Sequence, residues 1–407
     1  MPHGDETVTN EKSRGTGSNA DYYDYNLIAV IILLIGFGLV MLYSTSSYSA
    51  GIKFNNDLYF FKKQAMISVV AIAAAVAVSF LDYHVLWRLS GFLYFSAIVL
   101  MLLTRTPIGI TVNGARRWIR IMGVSFQPAE VAKIAVIVFL PVMIVKMGRK
   151  FRGIKAVLPP FIAGLIQAFA ALVFTQNLST AIIIMMISCV IIFIAHPDTL
   201  PFLLLAAGVA AVAALIVFLI ARSGAAGNFR SMRILVWLNP EKYAREQGYQ
   251  IMQSLYALGS GGLFGKGLGN STQKLGALPE AENDMIFSII CEELGVFGGM
   301  IVIMLFIYLL YRLFFIAQNA QDLFGALMVT GIFGHIALQV IFNICVVVNL
   351  IPTTGITLPF VSYGGTSVVF LMLEMAIALS VSMQIRFKRT ELDLWGEVVG
   401  GPEAERA

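Results

Sequence analysis

The segment GALPEAENDMIFSIICEELG (276–295) carries five carboxylates, Glu280, Glu282, Asp284, Glu292 and Glu293, and no base, yet it runs directly into a long apolar stretch. Carboxylates at such a boundary suit proton transfer, because a dry setting or neighbouring acids raise a carboxyl pKa toward the neutral range where a general base works. Asn283 and Asp284 fall where the apolar run begins, and both residue types also favour helix N-caps, where capping and the helix dipole lower the pKa instead. Sequence leaves that contest open for Asp284. Glu292 and Glu293 come two turns later, inside the apolar stretch, where poor solvation calls for an Arg or Lys partner from another element.

Two further segments carry polar groups at the edge of apolar runs. TPIGITVNGARRWIRIMGVSFQPAE (106–130) holds Arg116, Arg117 and Arg120, and leads into Glu130 and Lys133. Pro128 suits a first helical position, Glu130 then complements the dipole, and Lys133 three residues on shares its face and can pair with it. NLIPTTGITLPFVSYGGTS (349–367) has two prolines and three glycines between apolar runs. Such broken backbone survives at membrane depth only when buried in protein or lining a wet cavity. Ser362, Tyr363 and the Gly364–Gly365 amides offer hydrogen-bond donors to an anionic or sugar ligand there. His335 and Glu374, alone within apolar runs, read as bundle contacts, and no cluster has zinc spacing or a GxSxG nucleophile signature.

The elements that position these groups follow from composition. The 407 residues are 58% hydrophobic and 13% charged, with mean hydropathy +0.83, which excludes an ordinary soluble domain. The pattern predicts an all-α membrane protein of about ten transmembrane helices, near 27–46, 65–81, 85–104, 130–147, 157–174, 178–195, 200–221, 287–316, 324–350 and 365–385. Residues 1–24 read as a disordered cytoplasmic N-terminus, 25–388 as the membrane domain and 389–407 as a solvated cytoplasmic tail. The first apolar run is too long for a signal peptide and is expected to remain as a span. Cys189, Cys291 and Cys345 lie in or beside apolar segments without CxxC spacing and read as buried small hydrophobes.

The basic connection KMGRKFRGIKA (146–156) and RFKR (386–389) mark the cytoplasmic side. With an even number of spans, both termini are then cytoplasmic. This places 106–130 outside, against the usual charge rule: its arginines are either an amphipathic hairpin on lipid headgroups or an outer anion site. The 222–286 insertion between spans seven and eight is also extracytoplasmic, with short helices over 228–239 and 249–260 and a glycine-rich stretch, GSGGLFGKGLGN (259–270), that follows no strand and is no nucleotide loop. No internal repeat is visible, which counts against an inverted-repeat transporter. Nothing points to nucleic acid.

Five ordered blocks, GFGLVMLYSTS (36–46), NGARRWI (113–119), QPAEVAK (127–133), GYQIMQSLYALGSGGLFGKGLGNSTQKLGALPEAENDMIFSIICEELG (248–295) and PTTGITLPFVSYGGTS (352–367), resemble the SEDS family of bacterial cell-wall membrane proteins. The resemblance covers residues 24–388 and lies nearest the division branch, with the elongation and sporulation branches sharing most blocks. It implies a peptidoglycan glycosyltransferase that polymerises lipid II into β-1,4-linked glycan outside the plasma membrane, at the division septum, with undecaprenyl pyrophosphate as leaving group. A class B penicillin-binding protein and other divisome membrane proteins are the implied partners. The family's catalytic aspartate falls on Asp284; its motif Arg and Trp on Arg117 and Trp118; its Glu and Lys on Glu130 and Lys133. One departure stands out: Asn177 occupies a position at the start of span six where the family carries an acid.

The residues and the resemblance converge on one expectation. Asp284 takes the proton of a sugar 4-hydroxyl, while Arg117 and Lys133, with Arg116 and Lys274, stabilise the departing pyrophosphate. Glu292, Ser362, Tyr363 and Gly364 complete the expected substrate contacts. A divalent cation, Mg or Mn, is left open. The rivals are a lipid II flippase, whose polar groups should thread the midplane, and a non-catalytic scaffold.

Overall fold

The computed structural model describes residues 22–112, 115–121, 124–223 and 229–385. The expected tail (389–407), the RFKR segment and residues 1–21 of the expected N-terminal segment lie outside the described residues. Among the described residues, nine helices are long and apolar enough to cross a membrane: α1 (Tyr25–Phe54), α2 (Tyr59–Ser79), α3 (Val85–Leu103), α4 (Pro128–Met147), α5 (Ile154–Phe174), α6 (Leu178–Ala195), α7 (Leu200–Ser223), α10 (Ile286–Asn319) and α11 (Leu323–Val347). Shorter and equally apolar, α12 (Ser367–Met383) completes the ten expected spans. Within the 222–286 insertion lie α8 (Phe229–Leu238) and α9 (Tyr249–Gly261), at the two places where helix-like spacing predicts them.

Local chemistry sets the boundaries. Asp24 caps α1 by accepting from the Leu27 amide at 2.9 Å, and the same carboxylate receives the Arg312 guanidinium at 2.7 Å from the far end of α10. Pro128 opens α4, as its fixed φ and missing N–H favour. Asn177 caps α6, its side-chain oxygen accepting from the Thr180 amide at 3.2 Å. The residue that replaces the family acid thus has a local structural task in this chain. Asp322 caps α11 through the Gly325 amide at 2.7 Å.

The fold departs from all-α in one segment. Three strands, β1 (Gly109–Val112), β2 (Ala115–Ile121) and β3 (Val124–Phe126), pair as an antiparallel sheet in sequential order. Along β2, Ala115 and Ile119 are buried and Arg117 is half-buried, whereas Arg116 and Arg120 stand exposed; the register against β1 shifts here, Thr111 facing Arg116 and Ile110 facing Trp118, which leaves Arg117 without a partner residue in β1. Cys189 also departs from expectation. It is exposed on the surface of α6, while Cys291 is buried; an apolar span facing lipid has no need to hide a thiol from water.

The two ends of the bundle are distinct. At one, Lys146 lies over the Trp87 ring, His84 bridges Asp82 (2.7 Å) and Asp322 (2.8 Å), and Gln384 reaches Asp82. At the other, Thr366 bonds the Ser125 carbonyl of the sheet at 3.0 Å, and Ser179 bonds the Thr354 carbonyl at 2.6 Å. α4 runs from the sheet end to the basic end. α7 stands apart: none of its most apolar window is buried.

Candidate active site

Asp284 sits one residue before the N-cap of α10, and it does not cap that helix; the cap position is Met285, which makes no side-chain bond. Instead its carboxylate is 8% exposed, and Oδ1 has no hydrogen-bond partner among the described residues. Burial raises its pKa to about 7, the nearby charges of Glu280 and Glu282 push the same way, and Arg233 pulls against them. Desolvation therefore wins the contest that sequence left open. Backbone clamps fix the carboxylate: Asn343 of α11 donates to the carbonyls of both Asp284 (2.7 Å) and Ile356 (2.8 Å), and the Tyr363 amide donates to the Glu282 carbonyl at 2.8 Å.

The cation nearest in charge to Asp284 is one that sequence reasoning passed over. Arg233, on α8, donates to the Thr353 carbonyl at 2.9 Å and senses both Asp284 and Arg117. Burial lowers the pKa of each arginine, and in Arg233 the neighbouring Arg117 charge adds to it. Two half-buried guanidinium groups that repel one another near a buried carboxyl concentrate positive charge there, a setting that calls for negative charge. Arg117 Nε is buried and unbonded among the described residues, consistent with that need. Reciprocal bonds between Trp237 and Asn349, at 3.1 and 3.4 Å, staple α8 to the 349–366 segment.

The other expected residues are distributed differently. Lys133 donates to Glu130 at 2.8 Å and is 1% exposed, a complete ion pair on the opening turns of α4. Arg116, exposed, and Trp118, half-buried, flank Arg117 on β2. Ser362 is turned inward, accepting from the Leu358 amide at 2.8 Å, and so closes its own loop. Tyr363 and Gly364 are half-buried beside the acidic run. His335 and Glu374 pair at 2.7 Å, both fully within the bundle. Among the described residues, no three His, Cys, Asp or Glu side chains converge as metal ligands would.

Lys274 and Glu292 belong to a second polar centre, two turns below Asp284. Lys274 donates to Glu293 at 2.7 Å and to Ser44 at 2.9 Å, so its ammonium is not directed at the arginines. Glu292 receives Lys266 at 2.7 Å, Thr272 Oγ1 at 3.0 Å and the Ser271 hydroxyl. The partners that the sequence demanded for these two acids are therefore lysines of the glycine-rich loop. The same loop mends a break in α10 at Gly295 (φ 70°, ψ −170°). The Glu292 and Glu293 carbonyls accept from the Lys266 and Gly267 amides at 3.0 and 2.9 Å, and the Val296 and Phe297 amides donate to the Gly262 and Leu263 carbonyls at 3.0 and 3.2 Å. A β-carbon on Gly265 or Gly295 would stand 2.2 Å from a backbone oxygen of the facing segment, which explains the glycines.

With this geometry in view, comparison with known proteins is decisive at the level of family. Residues 24–387 match the model of the cell cycle protein family that groups FtsW, RodA and SpoVE. The chain belongs to this SEDS family. Among SEDS relatives, it is 37% identical over 371 residues to stage V sporulation protein E of Bacillus subtilis, covering 89% of this chain and 98% of that one. It is 36% identical over 365 residues to the probable peptidoglycan glycosyltransferase FtsW of Trichlorobacter lovleyi, with 89% and 94% covered. A solved peptidoglycan synthase complex, described as coordinating polymerization and crosslinking, contains a chain with TM-score 0.73 at 25% identity, over 88% of this chain and 97% of that one. The fold is shared with the rod shape determining protein RodA of Thermus thermophilus, at TM-score 0.63 and 24% identity, over 90% of this chain and 98% of that one.

Proposed function

We propose that this SEDS protein is a peptidoglycan glycosyltransferase that polymerises lipid II at the outer face of the plasma membrane, with Asp284 as general base. The observation that carries the reading is a buried carboxyl, unpartnered at Oδ1 and held near neutrality, beside two desolvated arginines. In the reaction, the 4-hydroxyl oxygen of one lipid-linked sugar attacks the anomeric carbon of another. Its proton passes to the Asp284 carboxylate, the new glycosidic C–O bond forms, and the old bond to the pyrophosphate breaks with the electron pair leaving on phosphate oxygen. Arg233 and Arg117 supply positive charge for that leaving group, Arg233 held by its bond to the Thr353 carbonyl. A single inversion from an α-linked carrier yields the β link. The Glu130–Lys133 pair supports the base of the arginine-bearing sheet.

Support for this activity comes from FtsW relatives named as probable peptidoglycan glycosyltransferases. The likeness to a synthase complex that couples polymerization and crosslinking supports a penicillin-binding partner of the crosslinking class. The positive-inside distribution of the sequence supports an orientation with the sheet end outside and both termini in the cytoplasm. Septal synthesis with divisome partners follows from the FtsW likeness. The similarly high identity to a sporulation protein favours a second reading, a spore-cortex polymerase of the same chemistry. Localising a tagged chain in dividing and in sporulating cells separates the two.

The decisive experiment gives labelled lipid II to the purified protein with its partner synthase. Glycan strands are expected from the parent and none from Asp284→Asn. Strands at the parental rate from Asp284→Asn would end the proposal, and movement of labelled precursor across sealed vesicles without polymer would replace it with the flippase.

A further inference from the structure

In the GFGLVMLYSTS block of α1 (36–46), Ser44 serves the Lys274–Glu293 pair, and Gly38, on an earlier turn, meets the 349–366 segment. A β-carbon on Gly38 would stand 2.7 Å from the Phe360 carbonyl oxygen, 2.7 Å from the Val361 Cα and 3.1 Å from the Val361 carbonyl oxygen, whereas one on Gly36 would meet nothing within 4 Å. All three atoms are backbone, so no side-chain rotation makes room. Nor can the helix easily withdraw, because Leu34, Met41 and Leu42, its neighbours on the same face of α1, are buried. The turn seated there is strained. Phe360, bulky and buried, has φ 62°, in the left-handed region that favours glycine. The Val361 amide donates back to the Pro359 carbonyl at 2.7 Å, which closes the rarer form of γ-turn. Leu358 and Ser362 brace it, the Ser362 amide donating to the Leu358 carbonyl at 3.0 Å and the Leu358 amide to Ser362 Oγ at 2.8 Å. On both sides the braced turn runs into the acidic run. The Tyr363 amide donates to the Glu282 carbonyl, and the Ile356 carbonyl shares Asn343 with Asp284. A β-carbon on Gly355 would stand 3.9 Å from Asp284 Oδ2, so the backbone of the segment flanks the carboxylate itself.

A strained turn persists only where its surroundings over-determine it, and here those surroundings include the bare helix surface at Gly38. We propose that Gly38 is a positioning residue: its missing side chain lets the Pro359–Val361 turn press against α1, which holds the 349–366 segment closed over Asp284 and keeps water from the carboxylate. The inference rests on the reading of Asp284 as general base. Buried glycines in a membrane bundle also serve close packing of helix on helix. The atoms that Gly38 meets belong instead to the strained turn, whose backbone leads to Asp284 on one side and to Glu282 on the other. An added methyl group must drive the turn back by about 0.7 Å, from 2.7 Å to the 3.4 Å of ordinary contact, and a misplacement of that order at a reacting group slows the reaction.

The test gives labelled lipid II to the full-length protein with its partner synthase and compares Gly38→Ala with Gly36→Ala. Gly38→Ala is expected to lower kcat about 10- to 100-fold and to move the limb of the pH profile from about 7 toward the ordinary carboxylate range, while Gly36→Ala keeps both parental values. Burial is the largest influence on the Asp284 pKa; Glu280 and Glu282 add to it and Arg233 opposes it, so admitted water gives the shift its downward direction. A parental rate and limb in Gly38→Ala overturn the proposal, as do equal losses in Gly36→Ala. A loss that reflects only weaker packing of α1 would appear also in Ile31→Ala, a buried large-to-small change two turns away, which is expected to leave the limb at about 7; the same limb shift there overturns the positioning role. If Gly38→Ala fails to accumulate, Ser362→Ala unties the same turn without a clash and is expected to give the same loss and the same shift, and a parental profile from it overturns the proposal. A readout without polymer keeps the two readings apart. Asp284→Asn is expected to raise the thermal midpoint more at pH ~8 than at pH ~5, and in the Gly38→Ala protein that difference is expected to shrink, because the carboxyl is already wet. An undiminished difference overturns the role of Gly38, whereas absent polymer from the parent overturns the polymerase reading and leaves the midpoints readable.

Discussion

Asp284 carries a cost that its proposed role as general base would explain. A carboxyl moved from an ordinary 3.8 to about 7 by burial destabilises the ionised folded protein by up to about 4 kcal/mol. The sign is that of a raised acid: the folded state holds the proton more tightly than the unfolded, so stability is fullest below the unfolded pKa and declines as pH rises through about 7. Asp284→Asn is therefore expected to raise the thermal midpoint at pH ~8 more than at pH ~5, since the mutant has no charge to bury. Equal midpoint shifts at both pH values would mean that the carboxyl is not desolvated. Activity runs the opposite way, because the base works only when ionised: kcat/KM for lipid II should rise with pH along a limb centred near 7 instead of near 4. For Arg233, replacement by Gln removes a preorganised donor and should lower kcat by about 10²–10³-fold, measured as initial rate of strand formation at saturating lipid II. A Gln variant within twofold of the parent would remove Arg233 from the chemistry.

Helix α10 shows what one element can reveal in sequence and what it cannot. The acids at 280–293 were legible because carboxylates entering an apolar run demand a reason, and Glu292 and Glu293 announced their need for lysines. The Gly295 break was not legible, since the apolar pattern continues through it and only the facing residues 262–267 of the preceding loop explain it. Arg233 was hidden for a related reason: amphipathic spacing in 229–238 is satisfied equally by a headgroup-bound helix, and only the fold brings that helix to Asp284. The β-sheet was hidden because its strands are short and its arginines read as interfacial. Substitutions at the buried ion pair and at the break test the two features separately. Lys274→Met leaves Glu293 buried without its cation and should cost about 3–5 kcal/mol, whereas Lys274→Met with Glu293→Leu should recover most of it. Thermal midpoints of the purified single and double variants decide this, and a double variant as unstable as the single would show that the charges themselves are required. Gly295→Ala combines a positive φ with a 2.2 Å clash and should prevent accumulation of folded protein in the membrane.

At the scale of the whole molecule, the bundle has to keep two chemically different surfaces apart. The sheet, the acidic run and the 349–366 segment meet at one end; the Lys146–Trp87 contact and the His84 bridge define the other. α4 joins them, beginning at the sheet and ending in the basic segment 148–156. In the proposed orientation the arginines of the sheet violate the usual charge rule, which an anionic substrate outside the cell would explain. Because one helix connects the two surfaces, orientation can be read from two exposed positions, Arg120 on β2 and Lys150 just beyond α4. In a protein with Cys189, Cys291 and Cys345 replaced by Ala, Arg120→Cys is expected to react with a membrane-impermeant maleimide in intact cells whose outer surface is accessible. Lys150→Cys should react only after the membrane is opened. Labelling in the reverse order would place Asp284 toward the cytosol, where lipid-linked sugars could be moved or assembled but not polymerised into an external wall, and the mechanism built on that carboxyl would fall with it.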